Sequence, residues 1–243
     1  MRLLARIDVH EIENAQIDLV NKLIRNKKFN RYLINNCYPV AFDGSQKFAR
    51  DWLWSEECLE RNVRVKEGKD SKKQYYVYIL EASLAFENGM TIPLMSEFLS
   101  YTEGDTGTNK QDCEQKAFRR LAGRLKSAFP KLRIMALLDG LYPSGPMMEL
   151  LRKKKWGFMI VLQDKSLRSV WEEDDIGRLS AKNRFYHTWC GRRQHFQWVN
   201  GIEYSCFGAV RVSQVLTKTI SMSYSQCICI VTQFSLHWIA LQM

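Results

Sequence analysis

Two apolar runs in this 243-residue chain each end in Asp-Gly: Phe42-Asp43-Gly44 and Leu138-Asp139-Gly140. A carboxylate at the end of a buried strand is a hard oxygen donor on a rigid support, suited to a divalent cation such as Mg²⁺ or Mn²⁺. On neighbouring strands, two such groups can share a pair of cations roughly 3.5–4 Å apart. That arrangement activates an attacking oxygen and stabilises a leaving one in phosphodiester displacement. The competing explanation is that Asp and Gly are common turn residues and mark only the strand ends. Spacing alone does not separate the two.

Other patterns carry less. Gly104-Asp105-Thr106-Gly107-Thr108-Asn109-Lys110 superficially looks like a phosphate loop, but its Lys follows Asn rather than Gly, so a mobile loop is expected. His187, Cys190, His195 and Cys206 match no standard zinc spacing, and Cys227 and Cys229 are not a C-x-x-C pair. No G-x-S-x-G element is present. Arg192, Arg193, His195, Phe196 and Trp198 mix cations with aromatics. Such a stretch can hold a DNA strand by phosphate contacts and stacking, and a bland surface strand pair explains it as well. Arg192, Arg193 and Trp198 are the candidate DNA contacts.

The elements that must position Asp43 and Asp139 can be read in order. The spacing of Ile12, Ala15, Ile17, Leu19, Leu23 and Ile24 predicts a helix from about Asp8 to Asn35, basic in its second half and stopped by Asn35-Asn36. Tyr38 to Phe42 reads as a buried strand with an acid at its edge and a turn after it. The charged stretch from Arg61 to Lys73 reads as an exposed loop. Gln74 to Glu87 is rich in β-formers, Asn88-Gly89 signals a hairpin, and the return strand begins at Met90, with Pro93 suiting an edge. Thr108 or Asn109 is expected to cap a helix whose apolar stripe is Cys113, Ala117, Phe118, Leu121, Ala122, Leu125 and Ala128; Phe129-Pro130 stops it. Ile134 to Leu138 is again a strand, Ser144-Gly145-Pro146 starts a helix ended by Gly157, and Phe158 to Leu162 is a further strand. Strand–helix–strand with both strands apolar predicts a parallel βαβ unit. If the first three strands form a meander and the fourth joins beside the first, Asp43 and Asp139 lie on neighbouring strands.

Composition bounds the rest. With 46% hydrophobic and 12% aromatic residues, and only 13 Gly and 5 Pro, the chain is neither wholly disordered nor collagen-like. Thirty-six Lys+Arg against 26 Asp+Glu give a net charge of +10, which favours an anionic partner. Seven cysteines and an N-terminal apolar run cut short by Arg6 and Asp8 point to free thiols in a reducing cytoplasm. No membrane span is expected in the first 204 residues. Beyond them the composition breaks: residues 205–243 hold no Asp or Glu, and their only Lys or Arg are Arg211 and Lys218. A membrane-associated helix, a β-rich segment (VRVSQVLTKTISMSY alternates) and translation in a shifted reading frame compete for this tail; the last, which predicts no evolved fold, is preferred.

The segments Tyr38 to Phe48 (YPVAFDGSQKF), Lys110 to Glu114 (KQDCE) and Leu137 to Pro146 (LLDGLYPSGP) resemble bacterial insertion-sequence transposases of the DDE type. The resemblance covers roughly residues 8 to 204. It implies an α/β fold, an RNase H-like mixed sheet flanked by helices, with a partial β-rich insertion and an atypical C-terminal tail. The implied organisation is an N-terminal helical segment (1–36), a catalytic core (37–164), the start of the insertion (165–204) and the tail (205–243). It further implies that Asp43 and Asp139 are the first two catalytic, metal-holding acids, with Gly44, Ser45 and Gln46 lining the first site turn. The family's third acid is a Glu on a helix after the last core strand, and that helix does not follow here. Glu172, Glu173 and Glu203 are the nearby acids, and Glu203 sits in a stretch that reads as a strand. The implied activity is metal-dependent DNA cleavage and strand transfer, incomplete in this chain. The alternative is a non-catalytic DNA-binding or subunit-poisoning fragment. The implied partners are DNA, both transposon ends and target, and a second copy of the chain, in a nucleoid-associated cytoplasmic setting.

Overall fold

The computed structural model describes residues 8–55, 58–64, 71–99, 110–163, 166–168, 184–189, 192–204, 210–220 and 223–231. They form an α/β protein with a mixed sheet. In chain order the elements are α1 (Val9–Arg25), β1 (Tyr38–Arg50), β2 (Leu59–Arg64), β3 (Ser71–Ala85), β4 (Thr91–Phe98), α2 (Lys110–Ala128), β5 (Ile134–Leu138), α3 (Gly145–Lys153), β6 (Gly157–Leu162), β7 (Arg184–Trp189), β8 (Arg192–Tyr204), β9 (Val210–Ile220) and β10 (Ser223–Val231). The chain divides into two compact units. One comprises Met1–Lys28, Phe42–Ser83 and Ile92–Pro130, the other Phe29–Ala41, Leu84–Thr91 and Lys131–Met243.

In the first unit α1 starts where Asp8 accepts a hydrogen bond from the His10 N–H at 2.9 Å. It stops ten residues short of the expected Asn35. Lys27 turns left-handed (φ 56°), and the Lys27 and Lys28 N–H groups close back onto the Ile24 and Leu23 carbonyls at 2.9 and 3.1 Å. That is a Schellman ending, which no continuing helix can pass. The expected stop, Asn35-Asn36, lies in the second unit and serves elsewhere. Both residues are left-handed (φ 49° and 59°) in a tight turn between Ile34 and Cys37. Of the stretch expected to be a charged loop, Arg61–Arg64 and Ser71–Lys73 are strand, because β2 pairs antiparallel with β3 from Leu59↔Tyr76 to Arg64↔Ser71, and residues 65–70 lie outside the described residues. Charge does not prevent pairing here. Arg61 bonds Gln74 directly across, and Lys73 reaches Glu60 at 3.0 Å, so polar cross-strand pairs take the place that apolar ones hold elsewhere. In β4, which pairs with β3, Pro93 has no N–H to offer a neighbour, and its carbonyl accepts from Gln16 of α1. The stripe of α2 is buried as its periodicity predicts, with Ala117, Phe118, Leu121, Ala122 and Leu125 fully enclosed and Phe118 edge-on to Phe42 at 4.8 Å.

In the second unit the start of β1 runs parallel to β5, from Tyr38↔Ile134 to Ala41↔Leu137, and β5 runs parallel to β6. The predicted parallel βαβ unit is therefore present. Met147, Met148 and Leu151 of α3 are buried, as are Phe158 and Ile160 of β6. Gly157 does not end α3; it opens β6. The left-handed residue is Lys155 (φ 57°), followed by Trp156, whose N–H returns to Leu151 at 3.0 Å. The hairpin loop at Asn88-Gly89 has three residues rather than two. Phe86 exchanges hydrogen bonds with Met90 and Gly89, and Gly89 takes φ 81°, which suits glycine. Beyond β6 the sheet continues antiparallel through β10, β9, β8 and β7. The acid-free tail thus contributes β9 and β10, with the VRVSQVLTKTI part of the alternating pattern forming β9. Among the described residues no helix is long and apolar enough to cross a membrane.

Candidate functional site

The two Asp-Gly pairs are not alike. Asp43-Gly44 was expected at a strand end with a turn after it, yet β1 runs on to Arg50. Gly44 is required for another reason: a Cβ built there would lie 2.6 Å from both Glu114 Oε1 and the Tyr78 hydroxyl. The glycine makes room for a carboxylate and a phenol pressed against the strand. By the two-residue pleat, Gly44 shares the face of Phe42, while Asp43 shares the opposite face with Ser45 and Lys47. Asp43 is exposed. Ser45 and Lys47 both meet Glu81 of β3, at 3.4 and 2.7 Å. Gly44, Ser45 and Gln46 therefore belong to an extended strand, not to a turn.

Asp139-Gly140 is a turn. Asp139 follows β5, and its Oδ1 accepts the Leu141 N–H at 2.9 Å, the short local bond of an Asx turn. A carboxylate retains further lone pairs after one such bond, so the turn and a cation are compatible. Asp139 is exposed, and Gly140 lies against the side chain of Gln163, just beyond β6. The β1/β5 register ends at Ala41↔Leu137, and each Asp follows its partner of that last pair by two residues.

Sequence reasoning passed over Glu114. It is the one buried charged side chain among the described residues, 2% exposed, at the start of the α2 stripe. The signal was available: positions 114, 117, 118, 121, 122 and 125 follow one helical face, and a Glu on such a face calls for a partner. Its place under Gly44, on the face away from Asp43, makes it a support of β1 and not a neighbour of the Asp43 carboxylate.

The remaining candidates divide cleanly. Arg192, Arg193 and Trp198 lie on β8, opposite Trp189, Thr188 and Leu216. Glu203 is on the same strand, opposite Arg211, in agreement with its strand-like sequence. Glu172, Glu173, Cys190, Cys206, the Gly104 to Asn109 loop and the Thr108 or Asn109 cap lie outside the described residues. Among the described residues no group of three or more His, Cys, Asp or Glu could hold a metal ion.

No protein-family model matches the chain, and no curated protein does. Among solved structures it is similar to the piggyBac transposase synaptic complex with hairpin DNA, at 8% identity and a TM-score of 0.37, over 82% of this chain. The chain spans 34% of the length of that transposase.

Proposed function

We propose that the chain is a transposase-like protein of RNase H-like architecture that acts on DNA phosphodiesters, with Asp43 and Asp139 as its metal-holding acids. One observation carries the reading: β1 and β5 are parallel neighbours, and each Asp stands two residues beyond the last register pair, Ala41↔Leu137. The resemblance of the segments around both residues to DDE transposases agrees with it, as does a charge of +10. A bound Mg²⁺ or Mn²⁺ would supply the Lewis acidity that activates water and stabilises the leaving oxygen. The chain's own part is to hold both carboxylates on strand-anchored backbone, Asp43 within β1 and Asp139 in the turn fixed by its bond to Leu141. Two carboxylates hold a metal pair poorly, so turnover is slow. A complete relative would go on to strand transfer; here nicking is the expected chemistry.

The test is nicking of supercoiled plasmid with and without Mg²⁺ or Mn²⁺. Asp139→Asn and Asp43→Asn should each abolish metal-dependent nicking. Nicking indifferent to Asp139→Asn would sink the metal site. The two-carboxylate donor set favours one second reading, a non-catalytic fragment that poisons assemblies of a complete relative. Inhibition of such a relative in a mixing experiment, with no nicking by the chain itself, distinguishes it.

A further inference from the structure

Past Asp43, β1 carries side chains that the core of the first unit does not use. Phe48 is 62% exposed, and just beyond the strand Trp52 and Leu53 are 59% and 58% exposed. The Arg50 guanidinium lies 5.1 Å from the centre of the Trp52 ring and 5.5 Å from that of Trp54. Trp54 is anchored, half-buried against Cys58, Val77 and Ile79. A guanidinium is thus held over one fixed indole and one exposed indole, and Phe48 shares the strand face of Arg50 by the pleat. A second guanidinium, Arg61, lies 4.9 Å from the Tyr76 ring, steadied by Gln74. Among the described residues neither Arg50 nor Arg61 is paired with a carboxylate, whereas Lys47, Lys72 and Lys73 are.

Flat exposed rings beside cations that keep their charge available fit a ligand that is flat and anionic at once. We infer that the Phe48–Arg50–Trp52 end of β1 is a stacking platform for unpaired bases of a DNA strand. Rings take splayed bases and not the closed stack of a duplex, while guanidiniums take phosphates. By the pleat Phe48 and Arg50 stand on the face opposite Asp43, roughly 17 Å further along β1 by the strand rise, so the platform is separate from the Asp43 carboxylate. This inference rests on the reading of the chain as a DNA-processing protein and adds the place where a single strand is gripped.

The test is fluorescence anisotropy of a labelled single strand of roughly 12 nucleotides, in EDTA so that cleavage plays no part. Trp52→Ala should weaken binding on the order of ten-fold, Phe48→Ser should weaken it too, and Trp52→Phe should restore most of it. Arg50→Gln should weaken binding and make its salt dependence shallower. Both rings are exposed, so circular dichroism and Tm of the variants should match the parent. A duplex of the same sequence should bind alike to parent and Trp52→Ala. Equal single-strand affinity of parent, Trp52→Ala and Phe48→Ser overturns the inference. So does a Trp52→Ala variant that loses a self-associated state in sedimentation while keeping its DNA affinity, which would make the face a protein interface. Asp43→Asn separates the two readings: it should bind the strand normally while failing to nick plasmid.

Discussion

At the scale of single residues, the contact beneath Asp43 is the most constrained feature of β1. Gly44→Ala would drive a methyl into Glu114 and Tyr78, both pressed between α2 and the sheet, so neither can swing clear. Overpacking of this kind costs about 1–3 kcal/mol, and urea unfolding should show it. A methyl at Gly140 would meet Gln163 from its Cγ outward, at 2.3 Å, but Gln163 is exposed and can leave by turning about its Cα–Cβ bond, so Gly140→Ala should cost less than Gly44→Ala. Equal costs would mean that Glu114 and Tyr78 do not fill the space above Gly44. A second residue-scale effect concerns alkaline pH. Burial pushes the Cys37 thiol above its ordinary 9.0, with Arg133 beside it offsetting part of the rise. Burial also raises the neighbouring Tyr38 phenol above 10.0. Below those values both groups are neutral, folded or unfolded, and their contribution to stability is complete. As pH climbs past them the unfolded chain releases protons that the folded chain keeps, so stability is lost as pH rises toward the folded values. Urea midpoints should hold steady up to about pH 9 and then fall, and Cys37→Ala should flatten the first part of the fall. A Cys37→Ala profile identical to the parent's would show that the thiol titrates alike in both states.

At the scale of elements, α1 and α3 end in the same way and at the same expense. Lys27 and Lys155 each adopt φ near 56–57°, where a side chain crowds its own backbone and glycine does not. Lys27→Gly and Lys155→Gly should each stabilise the protein by about 0.5–1 kcal/mol, read as a rise in Tm; a fall would mean that the lysine stems make packing contacts worth more than the strain. These two endings explain what the sequence does and does not disclose. The α2 stripe was legible because 3.6-residue periodicity records burial directly, and so were β5 and β6, whose continuous apolar runs suit strands enclosed on both sides. The end of α1 was not legible: Asn26-Lys27-Lys28 carries no Gly or Pro, and a Schellman turn built on Lys leaves no compositional trace. β2 was hidden for the opposite reason, since its polar cross-strand pairs read as solvated loop. In the candidate site, the two Asp-Gly pairs look alike in the sequence, but one glycine serves packing and the other a turn, a distinction that exists only once Glu114 and Tyr78 are in place. The exposed platform around Arg50 left no motif at all, because a guanidinium over two indoles is made by a bend after β1 and not by spacing.

At the scale of the whole molecule, the compositional break after Tyr204 suggests a chain that could stop there, and the sheet suggests otherwise. β10 pairs with β6 from Ile228↔Leu162 to Val231↔Met159, and with β9 along its other edge. β6 is the sequence GFMIVL, with Phe158, Met159, Ile160 and Leu162 buried and no charge to guard an open edge. Natural sheets shield their edges with charge, proline or cover, because unpaired N–H and C=O groups beside apolar side chains template association with other chains. Removing residues 205–243 would leave β6 with β5 on one side and nothing on the other. The truncated chain should therefore associate or aggregate at concentrations where the full chain does not, read by light scattering and size-exclusion elution. A lysine in place of the half-exposed Val161 should reduce that association in the truncated chain, since a charged edge resists pairing. If the truncated chain instead elutes as the full chain does and melts at the same Tm, then β6 does not depend on the strand beside it. The tail, acid-free as it is, would then be dispensable to the fold, as a segment read in a shifted frame should be.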